Sequence, residues 1–150
     1  MKRWLLALTS FSLITAALAQ TDIHPDATRH GYAFDNPEIL LRQRLFGLAH
    51  GASLLASACR DDAAATAAYR NWRMKQLGAI NAVGHDLSEW FFGDKAYQAG
   101  MADIRRALNL PDALPPMPDV ELAAACATLP EALARERYDM QHHLDTANTR

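Results

Sequence analysis

In the stretch INAVGHDLSEWFFG, residues 80–93, His85, Asp86 and Glu89 stand together in otherwise apolar sequence. A His and a Glu four residues apart share one face of a helix, where they can hold a metal, pass a proton or form a solvated ion pair. A helical wheel decides between these roles. With Ile80 at zero and about 100° per residue, Leu77, Val83, Gly84, Leu87 and Phe91 fall within about 60°, with Trp90 just outside. His85, Asp86 and Glu89 fall at about 140°, 240° and 180°. The trio is therefore expected on the solvated face, and the second His of an HExxH zinc motif is missing.

Carried backwards, the same wheel places Tyr69, Arg73 and Gln76 at about 340°, 20° and 320°, inside the apolar stripe. A cation on a core face must pair, bind an anion, or carry its head to water over an apolar stem. This points to a small polar pocket between the first two helices. There Arg73, Gln76, Tyr69 and Arg44 would grip a carboxylate or phosphate. The other chemistry-bearing residues are the histidines. His24 and His30 flank a polar N-terminal segment, and His142 and His143 adjoin Met140. Imidazole with thioether suits copper, and imidazole alone suits zinc. His50, on the back of the first helix, is expected at the surface. No GxSxG, phosphate-cradling Gly-rich loop or Cys/His nucleophile constellation occurs, and no cofactor is implied.

The elements that must position these residues are helical. Asn36-Pro37-Glu38 supplies a cap, a first-turn Pro and an acid at the positive dipole end. Leu41, Leu45, Leu48, Ala52, Leu55 and Cys59 follow at steps of four and three, which predicts a helix over about 37–60. A second is expected over 62–92, read as one long helix with Gly78 and Gly84 able to bend it, and stopped by Gly93. A third spans 94–109, capped by Asp94, with Tyr97, Met101, Ile104 and Leu108 as its stripe. The Pro-rich stretch NLPDALPPMPD then crosses over as an extended loop. Helices over 119–127 and 129–145 follow, divided because Pro130 is expected to break the chain and TLPE at 128–131 reads as a capping box. The last residues, from Tyr138, are expected to fray. Phe46, Ile39 and Leu54 lie off the first stripe and Trp90 borders the second, which predicts some exposed apolar surface there.

The first residues, MKRWLLALTSFSLITAALAQ, read as a secretory signal peptide over 1–19: two cations, an apolar run too short to span a bilayer, then Ala17-Leu18-Ala19. Residues 20–35 read as a flexible arm and 36–150 as one helical domain. Cleavage would remove Lys2 and Arg3 and no acid, taking the formal charge from −2 to −4. That balance argues against nucleic acid as a partner and gives no reason for stable membrane insertion. Only two cysteines occur, Cys59 and Cys126, and an oxidising compartment pairs them. The sequence thus predicts an all-α, single-domain bundle of four to five helices with one disulfide. Its expected function is that of a secreted or periplasmic non-catalytic protein binding a protein partner or small ligand. One alternative is an exported all-helical enzyme acting on a small anionic metabolite through the Arg73/Gln76 pocket. The other is a periplasmic copper or zinc binder using the terminal His.

Overall fold

The computed structural model describes residues 24–149. The expected signal peptide and residues 20–23 of the arm lie outside them. Six α-helices run in the order α1 (Pro37–Ala58), α2 (Ala63–Lys75), α3 (Leu77–Phe92), α4 (Met101–Ala107), α5 (Asp119–Leu133) and α6 (Met140–Asn148). Short 3₁₀ turns occupy Gly93–Gln98 and Glu136–Tyr138. The fold is all-α, as the periodicity predicts, and among the described residues no helix is long and apolar enough to cross a membrane.

The start of α1 follows its sequence signal: the Asn36 side chain accepts from the Ile39 N–H at 3.2 Å, with Pro37 in the first turn. Asp62 caps α2 in the same way, through the Ala65 N–H. α3 is the hub. It packs along α1 on one side and against α4, the Gly93–Gln98 turn and α6 on others, while α2 lies on α5. Val83, Leu87 and Phe91, all members of the stripe read around Ile80, are fully buried at its centre. The Cys59–Cys126 disulfide, with Cα atoms 5.5 Å apart, fastens the end of α1 to the middle of α5.

Four expected helix boundaries differ in the structure. The single helix over 62–92 is two, because Gln76 leaves helical geometry (φ −91°, ψ 4°) and turns its side chain to the start of α6. The expected third helix is a 3₁₀ turn followed by the short α4, divided at Ala99-Gly100. There the Asp103 carboxylate accepts the Gly100 N–H at 2.7 Å. Conversely, Pro130 does not break α5. It removes only the bond to the Cys126 carbonyl, the helix ends three residues later, and the Thr128 hydroxyl bonds the Ala124 and Ala125 carbonyls instead of capping a new helix. The final helix starts at Met140 rather than at 129 and stays helical to Asn148, where fraying was expected, because the Asp139 side chain caps it through the His142 N–H.

Residues 24–35 form no helix of their own but finish the ends of others. The last carbonyls of a helix lack intrahelical donors. Those of α3 are met by the Thr28 N–H and hydroxyl on Phe91, at 2.7 and 3.0 Å, and by Arg29 on Trp90. The Arg29 guanidinium also lies 4.4 Å above the Trp90 ring. Gln43 of α1, fully buried, accepts the Ala33 N–H and donates to the Gly31 carbonyl, so the segment is held from both sides. His24 approaches the buried Asp103 carboxylate at 3.2 Å.

Candidate binding furrow

Every third or fourth residue of α3 from its first turn, Leu77, Ile80 and Asn81, Gly84 and His85, Ser88 and Glu89, lies on one face, as a 3.6-residue period requires. This face floors two adjoining depressions, of about 260 and 580 Å³. They meet at Met101, the first residue of α4, which lines both. A Cβ added to Gly84 would stand 2.5 Å from the Met101 Cε, so the missing side chain is what lets Met101 lie across α3. The result is one open furrow along α3, divided by a methionine. From Leu77 to Glu89 it is about 18 Å long at 1.5 Å per residue.

The two ends differ in charge. Phe46, Trp72, Leu77 and Ile80 contribute apolar surface at the first end, with Arg73, Arg105 and His50, and no acid lines it among the described residues. Arg105 reaches the exposed Asp112 at 2.9 Å, and the His50 Nε2 lies 2.7 Å from the Pro111 carbonyl. At the second end stand Glu89, Asp94 and His85, with Tyr97 projecting from the 3₁₀ turn. His85 is exposed, 3.8 Å from Glu89 and 3.6 Å from Asp86. Asp86 itself is not simply solvated, since Arg42 of α1 pairs with it.

The residues singled out for an anion pocket do not converge. Arg73 and Tyr69 share the first depression, Tyr69 stacking on Trp72. Gln76, only 2% exposed, opens instead onto a separate depression of about 360 Å³ beside Trp72, Leu133 and Tyr138. Its amide bonds Asp139 and the Gln141 N–H, which is capping work for α6. The His142 N–H holds the Asp139 carboxyl below the usual carboxylate range, opposed by burial and helped by Lys75 and Gln76. Arg44 is exposed on α1 and lines neither depression. The wheel misplaced Arg73 because it carried α3's phase through the bend at Gln76; on α2 itself Arg73 is exposed.

The terminal histidines also stay apart. His24 is at α4, His30 is exposed, and His142 faces Glu136 at 3.3 Å with its ring 5.8 Å from that of His143. No group of three or more His, Cys, Asp or Glu that could hold a metal ion occurs among the described residues. Exposed apolar surface is found where the sequence did not point. Phe46 is buried, and Ile39, Leu54 and Trp90 are half-buried. Of the seven large apolar side chains left exposed among the described residues, three line this furrow: Leu77 (38%), Met101 (43%) and Tyr97 (83%). The sequence signal for Tyr97 was the Ala99-Gly100 break, which separates it from the helix that carries the buried Ile104.

Comparison with protein-family models, curated proteins and solved structures returned no match.

Proposed function

We propose that this chain is an exported, periplasmic protein without catalytic activity that binds a protein partner through the furrow along α3. The observation that carries this reading is the row of exposed apolar side chains along the furrow, Leu77 and Met101 beside Arg73 and Arg105 at one end and Tyr97 at the other. Clustered apolar side chains rimmed by polar groups mark interaction sites, and Met, Tyr and Arg are the types enriched in protein interfaces. Methionine adapts its shape to what it meets, which suits a residue lying across the middle of the furrow. The disulfide and the leader-like N-terminus support export. The enzyme reading depended on a pocket shared by Arg73, Gln76 and Arg44, and those side chains open in different directions.

Met101→Asp tests the proposal. Met101 is exposed at the first position of α4, where an acid suits the helix dipole, so the variant is expected to keep the stability of the wild type. Immobilised wild type is predicted to retain a partner from an envelope extract of the native host, and Met101→Asp to retain it about tenfold less, as for loss of one interface anchor. Equal retention by both would contradict the reading.

A further inference from the structure

Resting on that reading, we infer that the partner presents a short amphipathic helix, acidic at one end and basic at the other, which lies parallel to α3. The furrow's length matches about three helical turns, and its floor offers no strand edge for an extended peptide to pair with. An amphipathic helix brings anchors at i, i+3, i+4 and i+7, which can bed on Leu77, Ile80 and Met101 toward one end and against Tyr97 toward the other. The charges fix its direction. Acids of the partner belong over Arg73, and over Arg105 in exchange for its exposed partner Asp112, at the end whose lining holds no acid among the described residues; bases belong over Glu89 and Asp94. Helices commonly carry acids in the first turn and bases in the last, which complements their own dipole. With α3 starting at Leu77 beside the cationic end, such a helix runs in the same direction as α3.

The probe is a set of fluorescein-labelled helical peptides of about fourteen residues, three to four turns. They share one Leu face and differ only in charge order: Glu in the first turn and Lys in the last, the reverse, or Gln throughout. Fluorescence anisotropy with the intact protein is predicted to show the Glu-first peptide binding about tenfold more tightly than the reverse one, a gap that narrows in high salt. The exchange of charges Arg73→Glu with Glu89→Lys, both at exposed positions, should invert the preference. Equal affinities for both orders, weakened alike by Met101→Asp, would overturn the charge pattern and leave the furrow standing as a docking surface. No peptide binding by a monomeric protein would also overturn the inference. Self-association that Met101→Asp abolishes would replace the helix with a second copy of this chain. The partner-retention comparison of Met101→Asp remains the separate test of the furrow itself.

Discussion

Replacing both Cys59 and Cys126 by alanine is expected to lower the unfolding free energy by about 4 kcal/mol, the chain-entropy value for a long closed loop. The bridge spans 67 residues of sequence, and everything from α2 to the first turns of α5 lies inside that loop. Both half-cystines are buried, at the junction where α5 is delivered by the Pro-rich crossover that carries no helix of its own. Small domains have only about 5 to 15 kcal/mol in total, so the variant should be close to the limit of stable folding. Urea titration followed by circular dichroism checks this. The midpoint should fall for the double variant and, by a similar amount, for the wild type in reductant. A double variant with the wild-type midpoint would show that packing of α1 against α5 suffices without the bond.

Trp72→Ala should be nearly as costly, about 3 to 5 kcal/mol, as expected for truncating a large buried aromatic. Trp72 is packed between Tyr69, stacked at 5.9 Å, and the edge of Tyr138 at 6.2 Å, and its indole N–H donates to the Tyr138 carbonyl at 2.8 Å. It therefore joins α2 to the segment leading into α6. Trp72→Phe keeps most of the ring and removes the donor, so it should cost less, about 1 to 3 kcal/mol for an acceptor left unpaired. Hydrogen exchange distinguishes this account from a general loss of core. In Trp72→Phe the amides of α6 should exchange faster while those of α3 around Leu87 keep their protection. Uniform acceleration across both helices would contradict the proposed role.

What the sequence made legible follows physical rules that act locally. The Asn36-Pro37-Glu38 start, the Leu41-to-Cys59 stripe and the only possible cysteine pair needed no tertiary information, and each is present. The bend at Gln76 was hidden because neither Pro nor Gly occupies that position. What turns the chain is a side chain committed to the start of α6, 63 residues away. That one missed bend also put Gln76 on one face with Arg73 and Tyr69, since a helical wheel holds only while the helix is continuous. Pro130 misled in the opposite sense, because near the end of a helix it costs a single bond. The contacts of residues 24–35 left little trace in composition, since they are made largely to backbone carbonyls at helix ends. The furrow was legible in part. The INAVGHDLSEWFFG stretch supplies its floor, yet its apolar residues were read only as core, and His85 and Glu89 only as solvated.

The most direct measurement of the central claim is site-specific photo-crosslinking in the native host, with a photoreactive phenylalanine analogue at Tyr97, on the furrow, or at Val120, exposed on α5 away from it. The account predicts one discrete protein adduct from position 97 and none from position 120. No adduct at either, or the same adducts at both, would contradict a partner-binding role for the face along α3.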